Sequence, residues 1–531
     1  MRTKRNAKGS ALVYGLVIMF AVSVILSSLI GFIVSQMKYG FHEVSKQNAL
    51  QISESGMYFY KWYLAHMVEG KTASQIQAFW TNGSPLGVTT PYEAEYFDPG
   101  GSAIGKYSLV VTKPATGSTV VTVVSTGWTY KEPNNRRVVK VRFRRPSWSE
   151  SMVVADDVMR FGDGTVISGK VHSNQGIRFD GLARNLVTSS VSSYNDPDHT
   201  DSNSEFGVHT HVNPPPATGI NNSYRSAEAP SGSNTTPPSR PDVFQAGRSF
   251  PVPTVDFTGV LADLSVMKTE ASTGAGDYFD NSGEGRYIRL KTDGTYDSCR
   301  VSTYDAYNST NGTGTNDITN YSGVVVGATG SSSSTNGTVC PTTACCAGSS
   351  CGWSQSNRHS RGKCESMTNA VIPNDSFIFT EDNVWLEGQV NGKHITIVAA
   401  DLTTGSAAKN VFIGKDIAYT NTDGSDIIGV IAQNDIEIIK NSNNVLTINA
   451  ALLAQNGRIG RANYGSSDNK STITVSGAMA TNQRYGFSWT NGSSSWGYAT
   501  RNLYYDNNLL YFPPPYFPTG TQYLMDLWEE L

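Results

Sequence analysis

Ala11-Leu12-Val13-Tyr14-Gly15-Leu16-Val17-Ile18-Met19-Phe20 opens an apolar run that reaches Val34 and meets no charged side chain before Lys38. An α-helix rises about 1.5 Å per residue, so ~20 apolar residues cross the ~30 Å hydrocarbon layer of a bilayer. The run therefore reads as a membrane-spanning helix. Ahead of it stand Arg2, Lys4, Arg5 and Lys8, with no acid. A basic flank stays on the cytoplasmic side, which sends everything after about residue 36 to the far side. A cleavable signal peptide has a shorter apolar core ending at an A-x-A-like site. This run is longer and ends at no such site.

The helical pattern continues past the apolar run. Phe41, Val44, Ile52, Phe59 and Tyr63 fit one helical stripe, with Lys46, Gln47, Asn48, Gln51 and Glu54 between them. This predicts one long helix to about Val68, apolar all round at first and amphipathic afterwards. Two motifs within it resemble a known family. Lys8-Gly9-Ser10-Ala11-Leu12 is similar to a prepilin cleavage and methylation site, and Gln47-Asn48-Ala49-Leu50-Gln51-Ile52-Ser53-Glu54-Ser55-Gly56 resembles the helix segment of PilX-type minor pilins. The likeness covers residues 1–145. It implies a leader, 1–9, cut by a prepilin peptidase between Gly9 and Ser10, and methylation of Ser10. It also implies that the helix, 10–69, packs among the helices of other pilin subunits. Major pilins carry Glu at the fifth mature position, where Tyr14 stands here. PilX-like and pseudopilin minor subunits share that departure, so the resemblance is to a minor subunit of a type IV pilus or pseudopilus.

With 531 residues there is room for more than one domain beyond the helix. A net charge of −3 with 16% charged residues excludes a basic nucleic-acid footprint as the main surface. Short runs rich in Val and Ile, separated by Gly, Ser, Thr and Asn, predict mainly β structure. Residues 107–111, 120–127 and 137–143 read as strands of a small antiparallel head spanning 70–149. In the last of them Val139, Val141 and Phe143 alternate with Lys140, Arg142 and Arg144, which predicts a core face and a solvated basic face.

A β-rich region, 150–298, follows. Within it the Pro- and Ser-rich stretch 194–245 reads as a surface loop or a partly disordered segment, and residues 260–271 read as a short helix. In 365–503, Val430-Ile431-Ala432-Gln433-Asn434-Asp435-Ile436 is echoed 22 residues later by Leu452-Leu453-Ala454-Gln455-Asn456-Gly457-Arg458-Ile459. Another 26 residues on, Met479-Ala480-Thr481-Asn482 repeats it more loosely. Such a repeat predicts stacked rungs, each burying its apolar side against the next. Ala packs inside, and Asn sits at the bend, where it ladders with its neighbours. The expected fold class is α+β and mainly β: a long N-terminal pilin-type α-helix, a small antiparallel β head and a large C-terminal β-solenoid or parallel β-helix. The aromatic, proline-rich tail, 504–531, reads as a cap along the last rung that shields its open edge. Its other reading is a docking strand for a partner.

All six cysteines, Cys299, Cys340, Cys345, Cys346, Cys351 and Cys364, fall within an insert at 299–364. Clustered on the predicted outside, they read as two or three disulfides stapling a poorly cored segment. A zinc site with His359 as an extra ligand is the competing reading, but the spacing lacks paired C-x-x-C knuckles. A carbohydrate-active β-helix needs paired carboxylates. The candidates are Asp156, Asp157, Asp163, Asp423, Asp426 and Asp435, and no motif pairs them. The run Asn421-Thr422-Asp423-Gly424-Ser425-Asp426 reads as a turn rather than a calcium loop. His172 follows a strand, while His209 and His211 lie in the 194–245 stretch as His-Thr-His, where solvated loop histidines are expected and a metal pair is the competing reading. No hydrolase, nucleotide or metalloprotease fingerprint occurs.

The expectation is a non-enzymatic membrane protein with no metal and no cofactor, its N-terminus cytoplasmic and its head outside. Its partners would be a prepilin peptidase, other pilin subunits and the membrane, with a surface or glycan ligand of unknown identity and no nucleic acid. A membrane-tethered adhesin that never polymerises, and a surface carbohydrate-active enzyme, are the alternatives.

Overall fold

One helix, α1, runs Lys8–Val68, and Gly70 follows it at φ +72°. Without a Cβ, glycine accepts the left-handed backbone that closes a helix C-terminus. The computed structural model describes residues 8–531 except 72, 115–117, 200–201, 256, 258–263, 302–303, 319–363, 492–493 and 521. The two halves of α1 differ. Every residue from 11 to 42 is exposed, apolar ones included. From Ser45 onward one face is buried: Ser45, Ala49, Ile52, Ser53, Met57, Tyr60, Leu64 and Val68, at three- and four-residue spacing.

That seam differs from the predicted stripe. Ile52 is buried, but Phe41 and Val44 are 65% and 58% exposed, and Phe59 and Tyr63 are half-buried. Around Ala49, Ser53 and Gly56 helix and sheet approach so closely that only small side chains fit, whereas Met57, Tyr60 and Leu64 are buried farther along. A Cβ on Gly127 would lie 2.3 Å from the Ala49 carbonyl oxygen and 2.4 Å from the Ser53 nitrogen. Glycine lets the two backbones meet there.

The sheet under α1 contains β1 (Tyr92–Phe97), β2 (Ala103–Thr112), β3 (Val121–Thr129) and β4 (Arg137–Arg144), all antiparallel. Its fifth strand is Leu524–Glu530, from the end of the chain, antiparallel to β4. The large β region is thus inserted between the fourth and fifth strands of the small domain. Val139, Val141 and Phe143 are buried, as the alternation predicts. The basic residues beside them are paired rather than solvated. Asp526 meets Arg142 at 3.0 Å and Arg144 at 3.4 Å, Glu529 meets Lys140 at 3.5 Å, and Glu530 pairs with Arg137. The tail therefore corrects two expectations at once. It supplies the counter-charges for β4, and it closes this sheet instead of shielding a last rung.

The inserted region is built on a long parallel ladder. Asp277–Phe279, Ser376–Thr380, His394–Ala399, Ile427–Ala432, the second halves of Val445–Ala454 and Asn469–Thr481, then Val153–Ala155, Val171–Ser173, Val187–Ser189 and Arg248–Ser249 pair in that order. The chain enters this ladder in its middle at Val153 and runs to one end at Ser249. It reappears at the opposite end at Asp277 and winds back until Thr481 pairs with Ala155. The sequence echo is a register: Val430 opposes Leu452, which opposes Met479, and Ala432 opposes Ala454. The expected ladder among the asparagines of the repeat is replaced by other bonds: Asn456 Nδ2 donates to the Gln433 carbonyl at 2.9 Å, and Asn434 pairs outside the repeat. Asn434 donates to Asn410 Oδ1 at 3.0 Å, and the Asn410 amide donates to Asn383 Oδ1 at 2.9 Å.

Both faces of the ladder are covered. Ile378, Ile397, Val430 and Leu452 point into the main core. Phe379, Val398, Ile431 and Leu453 meet a second layer formed by Leu264, Met267 and Ala271 of the short helix Leu264–Ser272, with Leu509 and Phe517 of the tail. Of the cysteines, Cys299 is buried in the strand Thr295–Val301, and Cys364 opens the adjacent strand Cys364–Val371. Cys340, Cys345, Cys346 and Cys351 lie outside the described residues, as does His359.

Candidate functional site

The bare half of α1 is the largest feature whose chemistry the chain leaves unsatisfied. Leu12, Val13, Tyr14, Leu16, Val17, Ile18, Met19 and Phe20 are each more than half exposed, and apolar exposure continues through Val34. Among the described residues this is the one helix long and apolar enough to cross a membrane. Apolar surface on this scale requires lipid or other protein against it. Gly9 and Ser10 lie in the first turn of α1, so the sequence motif opens this helix directly. At Ser45 the helix changes role: Ser45 Oγ lies 2.7 Å from Thr129 Oγ1, and from there the sheet holds it.

The carboxylates weighed for catalysis act as clasps of the chain. Asp426 is buried and accepts the Thr420 and Asn421 amides at 2.8 and 2.6 Å. Asp435 accepts the Arg458 amide at 2.7 Å, just ahead of the strand Ile459–Gly460 that pairs with Ile436–Ile438. Asp157 takes the Arg484 amide at 3.1 Å, and Asp156 takes Asn174 Nδ2 at 2.6 Å. Asp163 and Asp423 each cap a turn through the Gly164 and Ser425 amides. Each carboxylate is thereby committed to backbone or amide donors at a bend. His172 is buried between Thr188 Oγ1 at 3.0 Å and Asn174 Oδ1 at 3.1 Å, and burial lowers its pKa.

The 194–245 stretch departs most from expectation. His209 and His211, expected as solvated loop residues, have no solvent exposure. Asp196 and Glu205 are each 1% exposed beside them, and His199 joins the group. Short pairings order the segment. Ser193–Tyr194 lies antiparallel to Glu205–Phe206, and Val208–His209 lies parallel to Ile177–Phe179. Burial pushes the His211 imidazole down to about 3, with the Arg178 guanidinium adding to the effect. Burial alone would raise the Asp196 carboxyl, but His209, the Asp198 amide and Arg178 outweigh it and hold it well below the usual carboxylate range. Sequence reasoning singled out only His209 and His211. Asp196 and His199 stand within the same short polar stretch, and that density was the available signal.

No family model and no curated protein matches this chain. Among solved structures, the crystal structure of the competence-associated pilin ComZ from Thermus thermophilus aligns over 92% of this chain and 98% of that one, with 13% identity and a TM-score of 0.30.

Proposed function

We propose that this chain is a minor pilin-like subunit, a structural and interaction protein rather than an enzyme. In this reading a prepilin peptidase cuts between Gly9 and Ser10, and Ser10 becomes the methylated first residue. The bare half of α1 waits in the membrane, with the N-terminus cytoplasmic, and then packs among the helices of neighbouring subunits in a type IV pilus or pseudopilus. The inserted β region reads as a β-solenoid head carried outside the cell for assembly or adhesion, with disulfides stapling its cysteine-rich insert.

One observation carries the reading: a single helix is clamped along its second half and left apolar and bare along its first. A plain membrane anchor needs only enough helix to span the bilayer. Here the span continues unbroken into the seam of a folded sheet, so a pull on the helix is transmitted to the head without a hinge. The test is co-expression of the full chain with a prepilin peptidase, followed by mass spectrometry of its N-terminus. The expected product begins at N-methylated Ser10. A product retaining Met1, or one cut near the end of the apolar run, overturns the pilin reading.

A further inference from the structure

The histidines of the 194–245 segment, which Arg248 Nη1 ties to the last strand of the ladder through the Val208 carbonyl at 2.7 Å, gather several unpaired buried polar atoms in one place. His199 Nε2, His209 Nδ1 and Nε2, His211 Nε2 and Asp196 Oδ2 are all buried without a hydrogen-bond partner. A buried polar atom left unpaired is destabilising, because it has given up its hydrogen bonds to water and gained none. Several converging on one point call for a common partner, and Asp196 Oδ2 lies 3.4 Å from His199 Nε2 and 3.6 Å from His209 Nε2. Ligand atoms of Asp196, His209 and His211 all fall within 4.8 Å of one another, and so do those of His199, Glu205 and His211, so that His211 is common to both sets. In a tetrahedral zinc site with metal–ligand bonds of about 2.0–2.1 Å, neighbouring ligand atoms stand about 3.3 Å apart.

We propose that Asp196, His199, His209 and His211 bind one divalent transition-metal ion of the zinc class, which locks the 194–245 segment over the end of the ladder. The surrounding bonds point the free atoms inward. Asp196 Oδ1 is occupied by the Asp198 amide at 2.9 Å, which leaves Oδ2 for the ion. His211 Nδ1 faces Asn222 Oδ1 at 3.1 Å. An acceptor there keeps the ring proton on Nδ1 and the lone pair on Nε2, the usual arrangement of a metal-ligating histidine. The His211 amide donates to Asp180 Oδ1 at 2.8 Å. Glu205 is engaged elsewhere, by Arg225 Nε at 2.6 Å and the Asp196 amide at 3.2 Å. It braces the hairpin and is not a ligand.

Protonated imidazoles are the competing way to satisfy Asp196. Arg178 Nη1 already lies 3.7 Å from Asp196 Oδ2, so two or three further cations would face that guanidinium. A single ion takes one unpaired nitrogen of each ring while the rings stay neutral, leaving only the second His209 nitrogen without a partner, and three histidines with one carboxylate are a borderline-soft set suited to zinc. The structural consequence follows from position. Arg248–Ser249 is the last strand of the ladder at this end, and the ends of stacked-strand arrays need covering.

The test uses the full chain in detergent, stripped with EDTA, dialysed against Zn²⁺ or Co²⁺ and analysed for metal. One ion per chain is expected, together with a melting temperature raised by roughly 5–10 °C over the stripped protein. The variant H199Q/H209Q/H211Q should lose the ion, and Asn222→Ala, on the surface, should weaken affinity about 10–100-fold without unfolding the chain. The cobalt form should lack the near-ultraviolet charge-transfer band of thiolate ligands. Either failure to bind metal, or a thiolate band that persists in the triple variant, overturns the proposal, the second by placing the ion at the cysteines.

Discussion

The five-stranded sheet and the parallel ladder bury their side chains by different rules, and the difference decides which of them can be read in advance. Along β3, burial alternates from Val121 to Thr126, because α1 covers one face and water the other. Along Ser376–Thr380 and Ile427–Ala432 every residue is buried. There the inner side chains fill the core while the outer ones lie beneath the helix Leu264–Ser272 and the tail. A sheet covered once leaves a period of two in the sequence, and a sheet covered twice leaves an unbroken apolar run.

The largest expected effect is at the single cover. Gly127→Val puts a side chain into the Ala49 and Ser53 backbone, which cannot rotate away, and should cost more than ~4 kcal/mol. Hydrogen exchange on the full chain should then show lost protection at 45–68 with the ladder unchanged. The matched change Thr122→Val, on the other face of β3, should stay within about 0.5 kcal/mol. If both variants exchange like the parent, the helix is not the cover that the alternation reports.

At the double cover, Phe517 is 4% exposed over the outer face of the ladder. Phe517→Ala should cost about 3 kcal/mol and raise exchange at 427–432 while leaving 45–68 as it was. A rise confined to 45–68 would mean the tail supports only the small sheet.

The third prediction separates the two regions by charge. The small sheet keeps its carboxylates at the rim in pairs, whereas the ladder side buries Glu437 against the Ala462 amide, with Arg458 at 3.4 Å. Burial pushes the Glu437 carboxyl from 4.5 up to about 7, with Arg458 opposing. Between those values the folded state holds a proton that the unfolded state has released, so stability falls as pH rises from 4.5 to about 7. Glu437→Gln removes that loss. It should gain roughly 1–3 kcal/mol over the parent at pH 8 and little at pH 4, read from melting curves at the two pH values. An equal gain at both would assign the effect to packing instead.

Local periods made part of this molecule legible. The charge-free run 11–34, the alternation at 137–143 and the echo of Val430-Ile431-Ala432 in Leu452-Leu453-Ala454 each depend only on near neighbours, because helix and strand repeat over a few residues. For the same reason the Cys-rich insert, with no period, yielded composition and nothing of pairing.

Everything that joined distant segments was decided by the tertiary structure. The strand Leu524–Glu530 completes a sheet begun at Tyr92, and the chain enters its ladder in the middle. The helix seam takes in Ala49, Ser53 and Gly56 together with Ile52, Met57, Tyr60 and Leu64 and leaves Phe41 and Val44 outside it, and a polar, proline-rich stretch folds inward around Asp196 and three histidines. Partners across a sheet or a cluster are chosen by which faces remain to be covered once the rest has packed, and that depends on shape and proximity, which no window of sequence contains.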